Sequence, residues 1–173
     1  TLADQSLLVP VPGPDGTRYR VLETIRQYGV DRLGEADELS EARGRHLRWC
    51  LATADALGES SAPGAAGWLA RFDRAVDELR GALSWAVAEP GHGADGYHLA
   101  VRLAEVCFLR GLPGEAQRRY EQAAALAADD RLAAAALHSA AEAAKARHFG
   151  TEGIRLHRAA AEAAVRAGDR PRA

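Results

Sequence analysis

The sequence predicts a mainly α-helical chain with one short β-hairpin at its N-terminus and antiparallel helical hairpins in its C-terminal half. Three observations predict it. A short β-favouring run and a second run that alternates polar and apolar residues lead up to Leu22, and from Glu23 onward apolar residues recur every three or four positions. Dense turn chemistry, Pro12-Gly13-Pro14-Asp15-Gly16, separates the two earliest runs. Glu115-Ala116, Tyr120 and Ala123-Ala124 recur as Glu152-Gly153, His157 and Ala160-Ala161, each 37 residues later.

Ser6-Leu7-Leu8-Val9-Pro10-Val11 is β-favouring, and Thr17-Arg18-Tyr19-Arg20-Val21-Leu22 alternates, so the two read as a hairpin. A lone hairpin is marginal in water and needs something to pack on. Leu22, Ile25, Tyr28 and Leu33 then mark one face of a helix. Gly29 weakens its middle by about 1 kcal/mol relative to alanine and is a place for a bend. Ser40 is the expected N-cap of a helix that buries Leu47, Cys50, Leu51, Ala54 and Leu57. Gly58 to Gly67 reads as a loop. Trp68, Leu69, Phe72, Val76, Leu79, Leu83, Ala86 and Val87 form the clearest apolar stripe in the chain, which ends at Pro90 to Gly96.

The remainder reads as two helical hairpins. Tyr97 to Arg110 is apolar almost all round and is expected to be deeply buried. Gly111-Leu112-Pro113-Gly114 turns the chain into a helix over Glu115 to Ala128. Asp129 or Asp130 caps the next helix, which runs to about His148, and Phe149-Gly150 leads into a last helix ending near Gly168. A period of 37 lies close to the roughly 34 residues of the TPR, so the expected type is a TPR-like superhelix. Alanine and glycine on facing helices let the backbones approach, and each hairpin leaves an apolar face for a neighbour to cover.

Composition narrows the function. With 173 residues the chain can bury a real core, as one domain or two small ones. The net charge is −2 and acids alternate with bases, so there is no basic tail suited to a phosphate backbone. Lys145 is the only lysine among many arginines, and alanine is abundant, as in GC-rich bacterial genomes. No apolar run approaches the roughly 20 residues of a membrane span, and no signal peptide is present. Cys50 and Cys107 sit in helical patterns, which fits a reducing cytoplasm better than a disulfide scaffold. The chain lacks methionine, opens on Thr1-Leu2-Ala3 and closes on Asp169-Arg170-Pro171-Arg172-Ala173, so it reads as a segment of a longer protein.

Ser6-Leu7-Leu8-Val9, followed by Arg18-Tyr19-Arg20-Val21-Leu22-Glu23-Thr24-Ile25-Arg26-Gln27-Tyr28, resembles the end of the winged-helix region in large ATP-dependent bacterial transcriptional regulators. These are the STAND-class, AfsR/LuxR-like proteins. Trp68-Leu69-Ala70-Arg71-Phe72, with Asp77-Glu78-Leu79-Arg80-Gly81-Ala82-Leu83-Ser84-Trp85-Ala86, is similar to the linker helices that follow there, before a TPR-like array. The resemblance runs through nearly the whole chain in the same order. Its most specific part is the run Leu22 to Tyr28. It implies three parts: a winged-helix remnant over 1–34, linker helices over 35–95, and truncated TPR-like repeats over 96–173. In that family the helical repeats restrain an ATPase module, and a separate domain binds DNA. The nucleotide-binding module, the first winged-helix helices and a DNA-binding domain have no counterpart in these 173 residues, so ATP hydrolysis and DNA binding are carried over to no residue.

The remaining motifs have simpler readings. Gly91-His92-Gly93-Ala94-Asp95-Gly96 fits G-x-G-x-x-G, but the dinucleotide motif needs a strand before it, and here a helix and Pro90 precede; it reads as an inter-helix loop. A Walker A loop needs Gly-Lys-Ser/Thr, and Lys145 lies in Ala-Ala-Lys-Ala-Arg. His46 and Cys50 lie four apart, but two ligands are too few for a structural zinc site. Asp73/Asp77 and Asp129/Asp130 read as a solvated helix face and a helix start. No serine or cysteine has a base and an orienter, so neither catalysis nor a cofactor is expected. Arg18 and Arg20 lie on the hairpin, flanked by Asp15 and Glu23, and read as structural or interdomain contacts rather than DNA contacts.

The candidate site is the groove of the repeats. Registering the first hairpin at Tyr97 and the second at Ala134 places His98, Val101, Glu105, Phe108 and Leu109 on its lining, with His138, Glu142 and Lys145 from the second. A mixed polar and apolar lining suits a peptide or protein segment, or another domain of the same parent chain. The same residues equally suit a solvated face or contacts to further repeats. The function this predicts is a non-catalytic regulatory interaction module of a cytoplasmic transcriptional regulator. The alternatives are a small-ligand sensor, favoured by an apolar pocket between Trp85, Tyr97 and Phe108, and a DNA-binding winged-helix fragment.

Overall fold

A computed structural model describes residues 7–13, 16–59 and 65–168. Among them are two strands and seven helices, so the chain is mainly α with an N-terminal β-hairpin. It divides into two compact units, Thr1–Gly44 and Arg45–Ala173. No helix among the described residues is long and apolar enough to cross a membrane.

In the first unit, β1 (Leu8–Gly13) pairs antiparallel with β2 (Gly16–Val21), from Leu8 opposite Val21 to Gly13 opposite Gly16. Gly16 takes φ +110°, which a side chain would resist. Ser6, Pro14 and Asp15 lie outside the described residues. Helix α1 (Glu23–Glu35) follows without interruption, so Gly29 introduces no break. It buries no residue fully. Ile25, Gly29, Val30 and Leu33 are half-buried, but Tyr28, expected on the same face, is 60% exposed. Its ring instead lies 5.4 Å from the Arg32 guanidinium.

Helix α2 (Leu39–Gly58) starts ahead of Ser40, so Ser40 sits in its first turn rather than capping it. The preceding chain reverses at Asp37, whose φ of +58° closes α1 through the Glu38 N–H donating to the Leu33 carbonyl. In the second unit α2 buries Leu47, Cys50, Ala54 and Leu57, as its periodicity predicts. Residues 60–64 of the expected loop lie outside the described residues.

Helix α3 (Ala66–Ala88) buries Trp68, Phe72, Val76, Leu79, Leu83 and Ala86. The Trp68 indole donates to the Leu57 carbonyl at 2.9 Å, which joins the end of α2 to the start of α3. Val87 departs from the predicted stripe and is 45% exposed. Ala75 and Ala82 take up the burial instead.

The last four helices repeat in pairs. Helix α4 (Gly93–Leu109) and α6 (Asp130–Ala146) both start and end 37 residues apart. Helix α5 (Pro113–Leu126) and α7 (Gly150–Arg166) start at the same spacing. The buried positions coincide as well: Leu99, Leu103, Ala104, Val106 and Cys107 of α4 correspond to Ala136, Ala140, Ala141, Ala143 and Ala144 of α6. So does the turn inside each hairpin. Gly111 and His148 both have positive φ, +82° and +60°. Each is followed by an N–H bonded five residues back, Leu112 to the Cys107 carbonyl and Phe149 to that of Ala144.

Two boundaries correct the sequence reading. Helix α4 starts at Gly93, not Tyr97, so four of the six residues of the Gly91–Gly96 motif are helical rather than loop. Gly96 is buried, and a Cβ there would lie 3.4 Å from the Leu126 side chain and 3.6 Å from that of Ala86. The glycine permits close helix packing. Helix α5 starts at Pro113 and ends at Leu126, because proline suits the first helical turn, where its missing N–H costs nothing.

Candidate interaction surface

Tyr97, His98, Val101 and Arg102 line an open cleft of about 280 Å³ on α4. Tyr97 is fixed by its hydroxyl, which donates to the Leu132 carbonyl of α6 at 3.4 Å. Burial pushes its phenol pKa up, and the charge of Asp129 adds to this. Arg102 reaches Asp55 of α2 at 2.7 Å and Glu105 at 2.9 Å, so its charge is already answered by two carboxylates. The cleft therefore has an aromatic and aliphatic wall and a neutralised polar rim.

His138, Glu142 and Lys145 come together on α6 and meet α7 through His157. Glu142 lies 3.3 Å from His157 and 3.0 Å from Lys145. The rings of His138 and His157 are 5.3 Å apart. The hydrogen bond from Lys145 holds the Glu142 carboxyl below its ordinary range. The repeat shows here too. Glu105 and Glu142 are 37 apart, as are Tyr120 and His157. Burial pushes the Tyr120 phenol up to about 12, with the charge of Glu105 adding. In the second hairpin the acid of the first helix thus meets the ring of the second.

Of the eight predicted groove residues, the structure places His98 and Val101 in the α4 cleft, Glu105 beside it on Arg102, and His138, Glu142 and Lys145 in the α6 cluster. Phe108 and Leu109, each 43% exposed, lie on the last turn of α4, outside the cleft lining. Tyr97, Arg102 and His157 are the neighbours sequence reasoning left out. Arg102 had a signal, since it follows His98 by one helical turn.

The side chains of the other candidate motifs have the following partners. Asp77 bonds Arg80 at 2.8 Å, and Asp73 faces Arg110 at 3.4 Å. Asp129 caps α6 by accepting from the Leu132 N–H at 2.8 Å, and Asp130 pairs with Arg166 at 2.8 Å. His46 Nε2 lies 3.6 Å from the Cys50 sulfur and 3.2 Å from Glu78. Burial pushes the Cys50 thiol up to about 12, and the charge of Glu78 adds to this. Among the described residues no group of three or more His, Cys, Asp or Glu side chains is arranged to hold a metal ion.

One polar link was invisible in the sequence. Arg80 of α3 forms a two-pronged bond to Glu115 of α5, at 2.9 and 2.5 Å. Arg119 adds a contact at 3.3 Å. The Arg80 bond holds the Glu115 carboxyl below its ordinary range and raises the guanidinium pKa.

No protein-family model matches the chain. Over 109 residues, 63% of its length, it is 34% identical to proteins named "Putative HTH-type transcriptional regulator" in Mycobacterium bovis and in two strains of Mycobacterium tuberculosis. The match covers 12% of the length of each relative. No solved structure matches. Most of this chain is thus similar to a short stretch of much longer proteins that are named as regulators of transcription.

Proposed function

We propose that this chain is a non-catalytic regulatory interaction module of a larger, cytoplasmic, ATP-dependent transcriptional regulator, acting through TPR-like repeats. The observation that carries the reading is the coincidence of two findings. The relatives are named as transcriptional regulators, and two helical hairpins repeat here with one register of helix ends, buried positions and turns. A repeated hairpin presents a row of equivalent side chains, which suits an extended protein segment or another domain of the same chain. The α4 cleft and the α6 cluster are the two parts of that row. Their mixed character, with an aromatic wall, histidines and paired charges, fits a peptide better than a nucleic acid backbone.

The cleft also weighs against a small-ligand sensor. It is open and lined by Tyr97, His98, Val101 and Arg102. The Trp85 ring is occupied by His92, at 4.6 Å, and Phe108 points elsewhere than into the cleft lining. In this reading the acids do structural work, as the ion pairs of Asp73 and Asp77 support.

The test is transcript profiling of the host after H98E and K145E, one on the α4 cleft and one on the α6 cluster, are introduced together into the gene. The reading expects altered transcript levels with the abundance of the protein unchanged. A wild-type profile would contradict it. A mobility-shift titration of the 173-residue chain is expected to give no DNA binding, and salt-dependent binding at low ionic strength would favour the winged-helix alternative.

A further inference from the structure

Helix α2 buries Leu47, Cys50, Ala54 and Leu57 on one side and leaves a stripe bare on the other. Arg45, Arg48, Trp49, Ala52, Ala56 and Glu59 are all exposed. They recur at three- and four-residue steps, so they share one stripe about 100° wide. Glu59 continues the last turn, since its N–H donates to the Asp55 carbonyl. All six belong to the second compact unit. Trp49 is 52% exposed, whereas Trp68 is 3% exposed. The Trp49 ring is also preset. It stacks on His46, with centroids 5.8 Å apart and planes 14° apart, and His46 is held at 3.2 Å by Glu78 of α3. A bare, preset tryptophan beside arginine has the composition of a contact centre.

We propose that this face of α2 pairs with the same face of a second copy of the chain, the two helices running antiparallel about a two-fold axis at Ala52. The occupant follows from the order of charge along the stripe, which runs basic, aromatic, small, acidic. A two-fold axis reverses that order in the second copy. Arg45 then comes opposite Glu59 of the other copy, with Arg48 one turn away. Trp49 comes over Ala52 and Ala56 of the other copy, whose small side chains leave room for the indole. An acidic partner of another kind would answer the arginines but set its charge against Glu59. Arg45 to Glu59 span about 21 Å of helix. Such a pairing falls short of the roughly 1,600 Å² of a standard interface, so the dimer is weak and depends on concentration. The proposal asks nothing of the regulatory reading, and a monomeric chain would leave that reading standing.

Sedimentation equilibrium of the 173-residue chain tests it. The expected result is a monomer–dimer equilibrium with Kd between about 1 µM and 1 mM. W49A removes the aromatic anchor, and A52E sets two carboxylates against each other across the axis. Each should weaken association about tenfold or more. All the altered positions are exposed, so thermal midpoints matching the parent chain show that the variants are folded. R48E and E59R should each weaken the dimer about tenfold, and the double variant should return to within about threefold of the parent, because the reversed charges again meet their opposites. A chain that stays monomeric at about 1 mM would overturn the proposal. So would a dimer that W49A and A52E leave unchanged, or charge reversals whose losses simply add.

Discussion

The two helical hairpins share a register but not a filling. The α4–α5 hairpin places Leu99, Leu103, Val106 and Cys107 where α6–α7 has Ala136, Ala140, Ala143 and Ala144. Helix α4 packs in one core with α2 and α3, among Leu47, Leu79 and Leu83. Helix α6 contributes small side chains and brings its neighbours close. The difference teaches that spacing sets which positions face inward, while the neighbours set how much volume those positions must supply. A repeat can therefore keep its geometry while losing most of the resemblance between its copies.

Matched substitutions should break the symmetry in opposite directions. Leu103→Ala leaves a cavity in the fully buried core and should cost about 2–5 kcal/mol in chemical denaturation. Its counterpart Ala140→Leu adds volume where none is free and should cost about 1–3 kcal/mol. If Ala140→Leu were neutral, the second hairpin would not be closely packed.

The next contrast is between Glu115 and Glu152, equivalent residues on α5 and α7. Glu115 is held by Arg80 of α3, whereas among the described residues Glu152 pairs with Arg155 on its own helix. Glu115→Gln should cost about 1–2 kcal/mol at neutral pH, less than a fully buried charged bond because Arg80 is 36% exposed. The Glu115 pKa is lowered from the ordinary 4.5, so its contribution is complete above that value and is lost as pH falls through the folded pKa. Urea midpoints measured from pH 7 to pH 3 should fall less steeply in Glu115→Gln than in the parent. Glu152→Gln should shift the midpoint and its pH dependence less than Glu115→Gln does, because the Arg155 bond that lowers its pKa is an exposed pair within one helix.

Smaller effects separate the helix starts and turns. Asp129 caps α6 with a side-chain bond, while the equivalent His92 makes none at the start of α4. Asp129→Ala should cost about 1 kcal/mol. His148 holds the left-handed conformation that Gly111 holds in the first hairpin. His148→Gly should raise stability by about 0.5–1 kcal/mol, the relief of that conformation exceeding the added freedom of the unfolded chain. A lower thermal midpoint in His148→Gly would mean that the histidine side chain holds the turn by other means.

Much of this organisation was legible in the sequence because it is local or periodic. The hairpin announced itself through turn residues, α2 and α3 through their apolar stripes, and the repeat through Glu115, Tyr120 and their counterparts. What was not legible depended on partners distant in the chain. Val87 continues the α3 stripe but turns outward, because the stripe rotates off the contact at the last turn while Ala75 and Ala82 fill the inner side. Gly96 looked like a loop residue because its reason, the approach of Leu126 and Ala86, lies on two other helices. The Arg80–Glu115 link joins residues 35 apart, and charge patterning reads only neighbours within a turn. In the candidate surface, facing positions were predictable from register. That Glu142 meets the His157 ring of its own hairpin was not, because this needs the second helix in place.

The central claim is that α4–α5 and α6–α7 are copies of one unit, with α7 as the open end. Native-state hydrogen exchange, read helix by helix, tests it most directly. In a repeat, stability passes between neighbours, so the unit with a neighbour on one side only should open first. The account predicts that α7 and α6 exchange together through an opening smaller than global unfolding, with α4 and α3 protected to the global limit. Exchange of α4 before α7, or one indistinguishable opening for all four helices, would contradict it.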